Sequence, residues 1–212
     1  MAVVRVREHV NPLSRRYRRP AVLPAWDQVY AQPQQPLHLD IGCARGKFLL
    51  ELAPQCPDWN FLGIEIREPL VHQANAWRDD RALTNLHYLF GNINYSIQPL
   101  LASLPAGIIQ MVSIQFPDPW FKKRHQKRRV VQPELVRDLA AVMPLGSQVF
   151  LQSDVEEVAA EMRDRFADHP AFAIARPETP WLSENPLPVC TEREQSTRSR
   201  GEPVYRVLLQ RT

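Results

Sequence analysis

The feature that most limits how this chain can fold begins at Leu37. From there, apolar runs of strand length alternate with longer amphipathic stretches. Leu37 to Ile41 reads as a strand and Lys47 to Leu52 as the start of a helix. Phe61 to Ile64 is a second strand, Pro69 to Ala82 a second helix and Leu86 to Phe90 a third strand. A longer strand over Ile108 to Phe116 follows, then a helix over Glu134 to Val142 and a strand over Gln148 to Gln152. A helix over Val155 to Phe166 and a closing strand over Val204 to Leu209 complete the pattern. Alternation of this kind predicts an α/β fold, a mostly parallel central sheet with helices on both faces. The Pro-rich stretch from Pro177 to Pro188 reads as a loop, because too little chain follows it to build a second core.

Residues 1–35 are different: rich in Arg, Pro and Gln and without periodicity, they read as a basic, partly ordered arm ahead of a domain spanning 36–212. Arginines stand where a signal peptide needs apolar residues, and no apolar run reaches the length of a membrane span. The expectation is a cytoplasmic protein with no membrane contact. Cys43, Cys56 and Cys190 are an odd number without metal-ligand spacing, which predicts reduced thiols and no metal. Net charge is only +3, yet cations cluster at Arg15 to Arg19 and at Lys122 to Arg129. Clusters on a nearly neutral body predict a local anionic partner.

In open α/β sheets ligands bind beyond the carboxyl ends of the strands. The pattern brings to that edge Asp40 and Gly42 after the first strand, Glu65 after the second and Asn92 after the third. Asp118 and Asp154 follow the next two. Each alone is an ordinary cap or turn residue; together they define a site. The first loop, Asp40-Ile41-Gly42-Cys43-Ala44-Arg45-Gly46, is no P-loop, since only three residues separate its glycines and Phe48 follows Lys47. Nor does it supply the Gly-x-Gly-x-x-Gly of a dinucleotide fold. It leaves Asp-x-Gly-x-x-x-Gly, the loop of S-adenosylmethionine enzymes, in which the acid is available to the cofactor's amino-acid end. Glu65 follows Gly46 by 19 residues, the usual distance for an acid that holds ribose hydroxyls.

The stretch Pro117-Asp118-Pro119-Trp120-Phe121-Lys122-Lys123-Arg124-His125-Gln126-Lys127-Arg128-Arg129 sets a carboxylate between two prolines and against a run of cations. Proline fixes φ on each side, so Asp118 stands on a stiff elbow. Structural alternatives are that Asp118 caps the turn that follows, that Trp120 packs rather than stacks on a base, and that Thr191-x-x-Glu194 is a helix capping box.

These segments resemble the tRNA (guanine-N7-)-methyltransferase family in its single-subunit form. The resemblance runs from about Leu37 to the C-terminus and rests on LDIGCARGKF, FLGIEI, FPDPWFKKRHQKRR and Thr191-Glu192-Arg193-Glu194 before Gly201. It implies a Rossmann-like class I fold and methyl transfer from S-adenosylmethionine to N7 of guanosine 46 in the tRNA variable loop, by a monomer or homodimer with no obligate protein partner. It implies cofactor contacts from Asp40, Gly42, Gly46, Glu65, Asn92 and Asp118, with Asp118 also catalytic, and substrate contacts from Lys122, Asp154, Thr191 and Glu194. Ala44 departs from a frequent glycine, Asn92 from a frequent aspartate and Phe121 from a frequent histidine. A methyltransferase for another substrate, or an RNA-binding module with a relict cofactor loop, are the competing readings.

Overall fold

The computed structural model describes residues 10–212; residues 1–9 of the expected arm lie outside them. The described residues form a seven-stranded sheet. Its strands are β1 (Leu37–Ile41), β2 (Asn60–Glu65), β3 (Leu86–Phe90), β4 (Ile109–Gln115), β5 (Gln148–Ser153), β6 (Phe172–Ile174) and β7 (Tyr205–Arg211). Their order is β3-β2-β1-β4-β5-β7-β6. Strands β1 to β5 pair in parallel; β7 runs antiparallel to both β5 and β6. The direction of winding reverses between β1 and β4, and at such a point the crossovers diverge and open a crevice at the carboxyl edge.

Helices α1 (Trp26–Val29), α2 (Lys47–Leu52), α3 (Glu68–Asp80), α4 (Ile93–Ser103), α5 (Pro133–Val142), α6 (Glu156–Ala167) and α7 (Glu192–Ser199) supply the connections. The sequence pattern marks most of these elements but passes over α1, α4 and β6, and touches α7 only through the capping box at its start. Helix α4 carries Pro99 in its interior, where the ring removes a backbone donor and disguises the helix. Strand β6 has three residues, too few to show alternation, and α7 is polar almost throughout, so it has no apolar stripe to read. At the other end, Trp26 and Tyr30 bury themselves in the main core and stack with ring centres 5.9 Å apart.

The two faces of the sheet differ. One carries Leu39, Leu62, Val112, Leu151 and Val207, all wholly apolar and all in the larger core cluster. On the other, Phe61, Leu86 and Tyr88 pack against Phe48, Leu49, Val71 and Ala74 of α2 and α3. Side chains alternate faces with a period of two, so the same strands present His38, Asp40, Ser113, Gln115, Gln152 and Arg206 on this second face. The centre of that face is polar and buried. Leu39 sits at the middle of the apolar face with no exposure. Leu39→Ala is expected to cost about 2–5 kcal/mol. The check is a lowered urea midpoint with an unchanged slope.

Candidate active site

At the crevice between β1 and β4 lies a cavity of about 960 Å³. Its walls include Asp40, Gly42, Glu65, Asn92, Asp118, Asp154 and Thr191, so residues from five strand ends and from the start of α7 meet in one space. Gly46 and Lys122 complete the predicted set. Gly46 begins α2 at the base of the first loop, and Lys122 is exposed beyond the elbow. Neither of these two lines the cavity, and Glu194, also predicted, does not reach it either.

The first loop turns back on itself through left-handed backbone at Gly42 (φ 82°), Ala44 (φ 51°) and Gly46 (φ 73°). A Cβ on Gly42 meets nothing within 4 Å, so there the backbone itself faces the open cleft. At Gly46 a Cβ would lie 2.5 Å from the Tyr88 ring, whose hydroxyl donates to the Gly46 carbonyl. Ala44 holds the same left-handed conformation with a side chain, which explains why glycine suits that place. Its N–H donates to Glu65 Oε2 at 2.9 Å.

Asp40 is almost fully buried and accepts from the Ser113 hydroxyl at 2.6 Å and from Gln115 Nε2 at 3.4 Å. Ser113 has one proton, which it gives to Asp40, so His38 Nε2 donates to Ser113 Oγ across 2.8 Å. Burial pushes His38 down to about 3, which keeps the ring neutral. Burial pushes Asp40 up to about 6; the Ser113 and Gln115 donors oppose this, and the Glu65 charge adds to it. Glu65 is as buried as Asp40 and has all four of its acceptor positions in use. Oε1 accepts from the Arg67 backbone N–H and Nε, and Oε2 from the Ala44 N–H and Arg67 Nη2, at 2.8–3.2 Å. Burial pulls the Arg67 guanidinium down, but its bonds to Glu65 and the charges of Glu65 and Asp118 outweigh this and raise it.

Phe116 (φ 50°) and Trp120 (φ 43°) bracket Pro117-Asp118-Pro119. Left-handed backbone at an aromatic residue costs about 1–3 kcal/mol and persists only where the surroundings enforce it. Here the enforcement comes from inside the basic run. Arg129 is buried; its Nε donates to the Pro119 carbonyl at 2.8 Å, and its guanidinium pairs with Glu157 and Glu161 of α6. Arg129 therefore anchors the elbow and is not one of the surface cations. Lys122, Lys123, Arg124 and Lys127 are exposed. Arg128 lies over the Trp120 ring, 4.8 Å from its centre, and His125 meets the ring edge-on, so the basic run packs against Trp120 while the ring still lines the cavity. The N-cap position of the 3₁₀ segment Lys123–Arg128 is Lys122, not Asp118, and no side chain caps it.

Asn92 caps α4 through its carbonyl oxygen, which accepts from the Asn94 N–H, while its Nδ2 donates to the Pro12 and Tyr17 carbonyls at 3.0 and 3.2 Å. An aspartate has no donor to offer those carbonyls. The amide thus explains the departure at this position: it ties the preceding segment, with Val10 and Pro12, against the cavity.

Thr191 caps α7 by accepting the Glu194 N–H at 3.1 Å, which is half of a capping box. The Glu194 carboxylate does not return to Thr191. It is fully buried, paired with Arg206 Nη2 at 2.8 Å and accepting from Asn185 and Gln152. Asp154 accepts from Arg193 Nε at 2.8 Å, and Lys47 Nζ reaches Glu192 at 2.6 Å, so α7 is tied to the strand ends from both sides. Sequence spacing does not reveal Arg67, Arg129 or Arg206. A weak signal exists for Ser113, Gln115 and Gln152: polar residues at every second position within otherwise apolar strands.

Strand order, edge cavity and glycine loop together define a class I methyltransferase. A family model described as "Putative methyltransferase" matches residues 34–207. A tRNA (guanine-N(7)-)-methyltransferase of Trichormus variabilis is 64% identical over 98% of this chain and 96% of its own length. One from Synechocystis is 59% identical over the full length of both. Of solved structures, the 16S rRNA methyltransferase KamB has a TM-score of 0.56 at 19% identity over 88% of this chain and 92% of its own. TrmN from Thermus thermophilus has 0.55 at 16% over 89% of this chain, which spans 47% of that longer protein; both likenesses show the fold. The chain belongs to the tRNA (guanine-N7-)-methyltransferase family.

The loop geometry separates two substitutions. Gly46→Ala is expected to cost about 2–5 kcal/mol, from the left-handed backbone and the collision with Tyr88. Ala44→Gly, which relieves the same backbone strain without any collision, is expected to stabilise by up to about 1 kcal/mol. Chemical denaturation of the two variants checks this; effects of the same sign and size would contradict the loop geometry.

Proposed function

We propose that the cavity transfers a methyl group from S-adenosylmethionine to N7 of guanosine 46 in the tRNA variable loop. The observation that carries this reading is the convergence on one cleft of Asp40, Glu65 and the strained Asp118 elbow, with exposed cations beyond it. When bound, the cofactor supplies an electrophilic methyl on a sulfonium. The donor set suits it. Asp40 offers a carboxylate to the ammonium of the amino-acid end. Glu65 offers two acceptors to the ribose hydroxyls once the Arg67 guanidinium yields them, two donors exchanged for two. The Asn92 oxygen keeps a second lone pair for the adenine amino group.

Guanine N7 is already a lone-pair nucleophile, so this chain has no proton to remove before attack. Its residues must hold the base in line, and positioning of that kind is worth roughly 7–11 kcal/mol. Asp118 accepts from guanine N1–H and N2–H₂, a donor pair that adenine lacks, and stabilises the positive charge that methylation puts on the ring. Lys122, Lys123, Arg124 and Lys127 meet phosphates, with Arg15 to Arg19 of the N-terminal segment as a further anionic contact. Asp154 and Thr191 hold the substrate side of the cleft, and Glu194 serves from behind it. Every one of these groups comes from one chain, so a monomer suffices. Residues 36–212 form the catalytic body and the segment before them an accessory arm. Among the described residues no helix is long and apolar enough to cross a membrane, and the cytoplasm, where the tRNA is, is the proposed location.

Two outcomes test the reading. Asp118→Asn keeps the shape of the side chain but removes the charge, so single-turnover methylation of tRNA should slow at least tenfold while tRNA affinity stays within a few-fold. A rate within about threefold of wild type, ~0.7 kcal/mol in barrier, would remove Asp118 from catalysis. The second is pH. Asp40 must be ionised to hold an ammonium, and its folded value is raised to about 6, so its ionised form is lost as pH falls through that range. Cofactor affinity should be flat above pH 7 and fall below about 6, by at most tenfold per unit for one proton. Calorimetric titration across pH 5–8 is the check, and a flat profile would contradict the assignment.

A further inference from the structure

A line of buried side chains crosses the polar face of the sheet from α7 to Asp40. Gln115, Gln152 and Arg206 are register partners on β4, β5 and β7, so they lie side by side on one face. Arg206 Nε donates to Gln152 Oε1 at 3.2 Å, Gln152 Nε2 donates to Gln115 Oε1 at 2.7 Å, and Gln115 Nε2 donates to Asp40 Oδ1 at 3.4 Å. None of these four side chains is more than 8% exposed. The direction of the chain is forced at its far end. A guanidinium only donates and a carboxylate only accepts, so the Arg206–Glu194 pair fixes which end of Gln152 is oxygen and which is nitrogen. Gln152 then presents nitrogen to Gln115, and Gln115 is left with its own nitrogen toward Asp40.

We propose that Gln115 and Gln152 are positioning residues of the cofactor site, through which the Glu194–Arg206 pair under α7 fixes Asp40. With Gln152 in place, the Gln115 amide is held from both ends; without it, only the long 3.4 Å bond to Asp40 orients the amide, and the donor is held less firmly. The chain gives Glu194 a part in the site although it does not touch the cavity. It also links the α7 segment, where Thr191 faces the substrate side, to the acid that takes the cofactor's ammonium. The inference rests on the proposed role of Asp40, and the experiment separates the two.

S-adenosylhomocysteine is titrated by calorimetry into full-length Asp40→Ala, Gln115→Leu, Gln152→Leu and the Gln115→Leu/Gln152→Leu double variant, with unmodified tRNA affinity measured in parallel. Each single glutamine variant is expected to weaken S-adenosylhomocysteine about fivefold or more, the loss of one net hydrogen bond. tRNA affinity should stay within about twofold. Because Gln152 acts only through Gln115, adding Gln152→Leu to Gln115→Leu should change cofactor affinity by less than about twofold. Where a leucine variant fails to fold, Gln→Met, unbranched and of similar volume, gives the same ratios. A lowered melting temperature with unchanged cofactor affinity would reduce the seam to packing and overturn the proposal, as would additive effects in the double variant. Unchanged affinity in Asp40→Ala overturns both the proposal and the assignment of Asp40; loss in Asp40→Ala with none in the glutamine variants overturns the proposal alone.

Discussion

Two buried carboxylates, Asp40 and Glu65, stand at adjacent strand ends, and much of the surrounding structure compensates for them. A buried carboxylate without partners costs several kcal/mol. Each acid here is met by donors that the fold must supply from a distance: Ser113 and Gln115 from β4 for Asp40, and the Ala44 N–H and Arg67 for Glu65. The parallel register makes this possible, because it sets Asp40 opposite Ser113 and delivers the ends of five strands to one edge. The cost of the polar face is offset by the opposite one, which is apolar from β2 to β7. A sheet with two greasy faces would be easier to stabilise and would bring no carboxylate to the cleft.

The elbow is the second place where stability and function meet. Two aromatic residues in left-handed backbone flank Asp118, and Arg129 holds the strained turn to α6 through the Pro119 carbonyl. Strain of this kind persists because the surroundings enforce it, here a buried guanidinium tied to two carboxylates of α6. The result is a carboxylate whose direction does not depend on a substrate arriving. One basic run therefore does two jobs, its last residue facing inward and its earlier ones facing solvent.

Much of this was legible in the sequence. Strand periodicity located the elements that build the parallel core, because Leu, Ile, Val and Phe at period two or in short runs have few other uses. The site acids were legible because each ends a strand. What escaped detection has no local signature. Pro99 hid α4, and α7 has no apolar face because Glu194 and Thr197 are what it buries. Glu194 read as a substrate contact from its motif, yet its carboxylate points into the protein, because Arg206, twelve residues later, is buried beside it. Asn92 reads as a cofactor contact that departs from a frequent aspartate; its amide is needed by the carbonyls of Pro12 and Tyr17, eighty and seventy-five residues away. Partners at such separations are set by the fold, and no spacing rule on the chain announces them.

The central claim is that one cleft formed by one chain methylates guanine N7 at a single place in tRNA. The most direct measurement incubates the purified protein with unmodified tRNA and S-adenosylmethionine, then cleaves the product at 7-methylguanosine and maps the break. The account predicts one scission, at guanosine 46 of the variable loop, that disappears when the cofactor is withheld. Methyl incorporation without scission, or scission at other guanosines to a similar extent, would contradict it.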